Sequence, residues 1–211
     1  MKIEVKHLED LALGSVFLAT GGGGDPYVPR LITEQAIKQF GSVEVIAPDD
    51  ISNDAYVVAI GAVGAPTVSL ELLPSIDEAA NTLRAFEEQV GRQVDAVASF
   101  EIGGGNSLIP IVAAAGMGIP VIDGDGMGRA LPEAQMMSYA IAGVKPTPAV
   151  AYDYDGNITA FSTKTTEVYE RHIRSLAMAA GGMITTAEHP MTGRELKRSI
   201  IPGTLSFSIK L

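Results

Sequence analysis

Three short stretches of this chain set glycines beside carboxylates, and each could do chemistry. The first is Gly21-Gly22-Gly23-Gly24-Asp25-Pro26-Tyr27. Consecutive glycines let main-chain N–H groups converge on an anion or a carbonyl, and a following helix adds its positive end. A helix cap alone needs fewer glycines, so the run points past capping to a cradle for substrate. The second stretch is Glu101-Ile102-Gly103-Gly104-Gly105-Asn106-Ser107. A carboxylate at Glu101 could exchange protons with water, while Gly103, Gly104 and Asn106 contact a bound molecule. The third is Asp123-Gly124-Asp125-Gly126-Met127-Gly128-Arg129-Ala130-Leu131-Pro132-Glu133. Asp123 and Asp125, with Arg129 and Glu133 close behind, could bind a hard cation or orient water. Isolated Asp-Gly pairs are ordinary turn formers. Two in a row, followed by Arg-x-x-x-Glu, favour a site.

Sharper motifs fail on inspection. An EF-hand beginning at Asp123 needs a glutamate at the end of its loop, where Ala134 stands. No Gly-Lys-Ser/Thr is present for a P-loop. The dinucleotide glycine pattern breaks at Pro26, Leu108 and Arg129. No Gly-x-Ser-x-Gly elbow occurs. His7, His172 and His189 lack metal-ligand spacing, and His189 is only a weak site candidate.

The elements that must position these loops follow from periodicity. Leu8 to Ala19 has helical spacing and ends at the four glycines. A second helix opens after Asp25-Pro26. Strands are expected at Val43–Ile46, Ala55–Ile60, Ala96–Phe100 and Val121–Asp123, with their C-terminal ends pointing one way. Ser75-Ile76-Asp77-Glu78 has the form of a capping box and starts a helix to about Val90. Further helices are expected from Asn106 to Ala115, from Glu133 to Ala142 and from Thr165 to Ala180. Asp155-Gly156-Asn157 predicts a hairpin between Ala149–Tyr154 and Ile158–Thr163. Met183 to Thr186 is a strand, and Thr192-Gly193-Arg194-Glu195 is a second capping box. Alternating strands and helices predict an α/β fold, a mostly parallel or mixed sheet covered by helices with an antiparallel hairpin near 149–163. In such sheets ligands bind beyond the carboxyl ends of the strands, where the second and third glycine stretches fall.

Composition bounds the function classes. Hydrophobic residues make up 46% and charged residues 19%, below the average of about 25%. Much of the chain therefore lies in a core or an interface, and a homo-oligomer is expected. The net charge of −10 disfavours nucleic acid and anionic membranes. No apolar run reaches the roughly 18 residues a membrane helix needs. The absence of cysteine rules out disulfides and thiolate chemistry and fits a cytoplasmic protein. Apolar residues continue to Leu211, which reads as a chain cut short.

Taken together, Thr20–Pro26, Glu101–Gly104 and Asp123–Glu133 resemble the signature of the S-methyl-thiohydantoin desulfurase family. The resemblance covers essentially the whole chain, in the expected order. It implies an N-terminal α/β domain over residues 1–211, with a small sub-region from about 149, and a C-terminal family domain lying beyond it. It implies hydrolysis of a hydantoin-like ring, with water displacing methanethiol. Family members are often neighbours or fusion partners of hydantoinase/oxoprolinase-type proteins. A non-catalytic binding subunit of such an assembly is the competing expectation. On the residues, Glu101 or Asp123 would activate water. Asp125 would partner that group or hold a divalent metal, the one cofactor the sequence suggests. Gly21–Gly24 and Asp25 would cradle an anionic ring oxygen or a substrate carboxylate, and Arg129 would contact a carboxylate.

Overall fold

Four strands run parallel through the centre, β2 (Val43–Ile46), β3 (Tyr56–Gly64), β4 (Ala96–Ser99) and β5 (Val121–Asp125). Three of them are buried on both faces, as in a sheet covered by helices, and the fourth, β2, alternates, with Val43 and Val45 buried and Glu44 exposed. A computed structural model describes residues 1–211, with the side chains of all but Ser69 and Leu70. In it β3 pairs parallel with β4, β4 with β5, and β5 with β2. Their carboxyl ends point the same way, as the periodicity requires.

The remaining strands extend this sheet with antiparallel pairings. β1 (Lys2–Ile3) edges β2. β8 (Met183–Thr192) runs antiparallel to β3, and β6 (Ala149–Tyr152) and β7 (Ile158–Phe161) follow it. β9 (Ile201–Pro202) pairs with the end of β5. The order is β1-β2-β5-β4-β3-β8-β6-β7. The protein is therefore α/β with a mixed sheet whose central strands are mostly parallel.

Helices cover both faces. On one side pack α1 (Leu8–Ala19), α2 (Tyr27–Phe40), α3 (Glu78–Val90) and α4 (Ile109–Met117). Leu11, Ile37, Leu83, Phe86 and Ile111 meet Val58, Ile60 and Val97 there. On the other side lie α5 (Ser138–Ile141), α6 (Thr166–Ala179) and α7 (Gly193–Ser199), where Tyr139, Tyr169, Ile173 and Leu196 meet Val57, Ala59 and Ala98. The alternation of Val57 and Ala59 against Val58 and Ile60 is the period-two pleat of a strand buried on both sides. A short α8 (Thr204–Ser208) packs on α1 and β5, with Leu205 buried and Phe207 exposed.

Several local expectations hold and some change. The Thr192–Glu195 capping box forms in both directions. The Ser75–Glu78 box does not. Asp77 is the N-cap of α3 and makes no side-chain capping bond, and the Ser75 hydroxyl accepts from Asp77 N. The Glu78 carboxylate accepts from the Ser75 main chain and also from Thr185 Oγ1 at 2.7 Å, so a tertiary partner shares the group. The helix expected over Glu133–Ala142 shortens to a 3-10 turn, Ala134–Met136, and α5. Among the described residues no helix is long and apolar enough to cross a membrane.

Candidate functional site

The three glycine stretches meet. Gly105 N donates to Gly23 O at 3.0 Å, tying the first stretch to the second. A Cβ on Gly104 would lie 2.1 Å from Gly23 O, and one on Gly103 would lie 2.7 Å from Ala130 N. The backbones therefore touch at a distance only glycine permits. The junction sits beyond the carboxyl ends of β3, β4 and β5 and forms one wall of a cleft, whose empty space is about 1100 Å³ with its open mouth included.

Glu101 follows β4 and lines this cleft, 4% exposed. Asn106 Nδ2 donates to its Oε1 at 2.6 Å, and Leu131 N donates to its Oε2. Asn106 is itself locked. Its Oδ1 accepts from Ala62 N at 2.7 Å and its Nδ2 donates to Ala62 O at 3.0 Å. The pairing of β3 with β4 ends at Ile60 and Ser99, so the Asn106 amide takes over the ladder where β4 leaves off. Burial pushes the Glu101 carboxyl up to about 7. The hydrogen bonds from Asn106 and Leu131 pull it down, and the nearby charge of Asp125 adds to the rise.

That shift has a measurable consequence for stability. Between the ordinary carboxyl range and about 7, folded Glu101 holds its proton while unfolded Glu101 has lost it. Stability therefore falls as pH rises from about 4.5 to 7, by roughly 3 kcal/mol at most from this group, and levels off above. Glu101→Gln, which cannot ionise, should remove this slope. Urea unfolding of both proteins across that window checks it. A stability difference between them that does not vary with pH refutes the raised carboxyl.

The other expected residues fall into two sets. Gly23, Gly24, Asp25, Asn106 and Glu133 line the cleft with Glu101. Asp25 Oδ1 also accepts from Tyr27 N at 2.9 Å, steadying the entry to α2. Glu133 is an exposed residue of the cleft wall. Gly21 and Gly22 are exposed and outside the lining, while Gly103 and Gly104 are buried behind it.

The two aspartates require correction. Asp123 does not face the cleft. Its Oδ1 accepts from Ser206 N at 2.9 Å and its main-chain oxygen from Gly203 N, so it holds the start of α8. Asp125 is fully buried behind the wall, and its Oδ2 accepts from Ile102, Met127 and Gly128 N–H groups at 2.9, 3.0 and 2.6 Å. It pins the second stretch to the third. Burial raises its carboxyl above the usual range, while these donors oppose that. Pairing of β4 with β5 is irregular between Val97 and Ser99, so β5 leaves its regular register before Asp125. Arg129 is exposed and outside the lining, so it offers no cation to a substrate carboxylate there. Among the described residues no three His, Asp or Glu side chains gather to hold a metal ion.

Much of the cleft carries no local mark in the sequence. Glu78, Glu170, Arg174, Thr185 and Glu188 line it as well. Glu170 Oε2 accepts from Ala134 N at 2.8 Å and its Oε1 pairs with Arg174 Nε, while Arg174 Nη2 reaches Pro132 O. Helix α6 thus clamps the turn that carries Leu131 N–H to Glu101. Only the i,i+4 spacing of Glu170 and Arg174 was visible in sequence, and it looks like any helix-surface pair.

Comparison with family models decides the affiliation. The model described as S-Me-THD-like, N-terminal domain, matches residues 6–163, and that described as S-Me-THD-like, C-terminal domain, matches residues 164–211. The chain belongs to the S-Me-THD-like family. The cleft of this family member is built from both matched segments, since α6 and β8 belong to the second. A protein from Chromobacterium violaceum, solved by X-ray crystallography as a structural-genomics target, superposes with a TM-score of 0.88 at 26% identity. The match covers 100% of this chain and 60% of that one, so the present chain spans 60% of that solved chain's length. No curated protein sequence matches.

Proposed function

We propose that the cleft hydrolyses a hydantoin-like ring, with an S-methyl-thiohydantoin as substrate and methanethiol as leaving group. The observation that carries this is Glu101. It is a buried carboxyl held at about 7, lying in a ligand-sized cleft at the carboxyl ends of parallel strands. A group balanced near neutrality can take a proton and return it. In the carboxylate form Glu101 takes a proton from water as the oxygen adds to the ring carbon bearing the S-methyl group. The C–S bond then breaks, methanethiol leaves with a proton returned by Glu101, and the added hydroxyl gives its remaining proton to the ring nitrogen that took the C=N electron pair, so the ring carbon becomes a carbonyl. Phe100, Met137 and Ile173 supply apolar wall for the flat ring, and the Gly23–Gly24 main chain lies beside its oxygens.

Family membership supports the ring class, and the cleft's own charge supports a substrate without a carboxylate. Asp25, Glu78, Glu101, Glu133, Glu170 and Glu188 line it, against Arg174 alone, which Glu170 already engages.

The test uses the full chain with an S-methylated 2-thiohydantoin and a chromogenic thiol reagent. The protein has no cysteine, so all thiol detected is product. Thiol release in proportion to protein is expected, with kcat/KM rising through about pH 7 and then flat, because the carboxylate form starts the reaction. No release over the uncatalysed rate at any pH sinks the proposal.

A further inference from the structure

Glu188 is the most deeply buried carboxylate in the cleft lining. It lies on β8 opposite Ala59 of β3, 1% exposed, in the wall formed with Phe100, Ala134, Met137 and Ile173. Three donors hold it. Tyr169 Oη donates to Oε2, Thr186 Oγ1 donates to the same oxygen at 3.1 Å, and His189 Nδ1 lies 3.0 Å from Oε1. All three residues are 0% exposed.

Burial, aided by the charge of Glu188, holds the Tyr169 hydroxyl proton far above its usual range, so it stays a donor. A carboxylate oxygen accepts, so His189 Nδ1 faces it as N–H. His189 Nε2, buried and without a partner, is then left with its lone pair. The backbone is bent to make this arrangement. His189 takes φ +47° where the β3–β8 register shifts, a conformation that side-chain-bearing residues seldom adopt.

A carboxylate offers about four lone-pair sites. Tyr169, Thr186 and His189 use three. The site left over belongs to a residue of the cleft lining. A buried carboxylate oxygen with an unused lone pair can take one more donor. We infer that Glu188 receives a ring N–H of the ligand, so that the cleft selects neutral cyclic ureides carrying an unsubstituted ring nitrogen. Glu188 then orients the ring by its edge, the aromatic and aliphatic wall takes its face, and Glu101 is left for the reacting carbon. The inference rests on the hydantoin reading above.

Calorimetric binding of hydantoin and of 1,3-dimethylhydantoin to the full chain tests it, since the dimethyl compound keeps the flat ring and both carbonyls but has no N–H, and the comparison in Glu188→Gln separates the lost hydrogen bond from the added bulk. Hydantoin is expected to bind about 10- to 100-fold more tightly than the dimethyl ring, the usual value of a hydrogen bond to a charged group. In Glu188→Gln that preference should shrink to a few-fold. Equal binding of both rings by the unaltered protein overturns the inference and leaves the hydrolase reading standing, and it does so without any variant having to fold. A preference that survives intact in Glu188→Gln also overturns it. No binding of hydantoin by the unaltered protein removes the hydantoin reading, and this inference with it.

Discussion

Glu101→Gln should give a folded protein whose turnover of an S-methyl-thiohydantoin falls by a factor on the order of 10²–10⁴, the usual contribution of a positioned acid–base group. The amide keeps the shape of the carboxylate and loses its proton exchange. One of its two donors, Asn106 Nδ2 or Leu131 N, would then face an N–H₂ group instead of an oxygen. Asn106 cannot flip to relieve this, because both ends of its amide are bonded to Ala62. The cost is about 1–2 kcal/mol of stability, which adds an offset that does not vary with pH and does not unfold the chain. Asp123→Asn is the contrasting variant. It loosens the start of α8, at about 1 kcal/mol or less, and leaves kcat/KM within a few-fold. Near-normal turnover in Glu101→Gln, or a collapse in Asp123→Asn alone, would reverse these assignments.

Gly104→Ala should be among the most destabilising small substitutions in the molecule. Its φ is +60°, where a Cβ costs about 1–2 kcal/mol. That Cβ would lie 2.1 Å from Gly23 O, a main-chain atom that cannot swing aside. Overpacking adds about 1–3 kcal/mol, for a total of about 2–5 kcal/mol. The substitution should also part the first two glycine stretches, break the Gly105 N–Gly23 O bond and reduce activity beyond what stability explains. Gly21→Ala is the control. Its φ is +97°, but nothing lies within 4 Å of the added carbon, so only the backbone strain is felt. Urea denaturation of the two variants compares them. Equal midpoints would mean that the close approach of the loops carries no stability.

Both experiments probe the junction of the three glycine stretches, and other acidic residues of the chain hold that junction in place. Asp125 lies in the wall as a fastener: its three N–H partners come from the second stretch and from its own turn. Glu170 and Arg174 fasten the same wall from α6. A carboxylate can thus belong to a functional loop and act only through the geometry it holds.

What the sequence determined by itself is whatever depends on neighbours along the chain. The buried parallel strands follow from unbroken apolar runs such as Tyr56–Ile60. The β6–β7 hairpin follows from Asp155-Gly156, and α7 from the Thr192–Glu195 box. Glu101 and the glycines around it were legible because a carboxylate beside consecutive glycines at a strand end is unusual at short range. The tertiary structure decided the rest. β8 was visible only as the short segment Met183–Thr186, yet it runs to Thr192 because β3 and β6 flank it on either side. Glu188, Glu170 and Arg174 reach the cleft because that strand and α6 pack there, and nothing near them in sequence marks them. Asp123 and Asp125 stand two residues apart with the same chemistry. Only tertiary contacts distinguish them: Ser206 N of α8 holds one, and main-chain donors of the second and third stretches hold the other, buried behind the cleft wall.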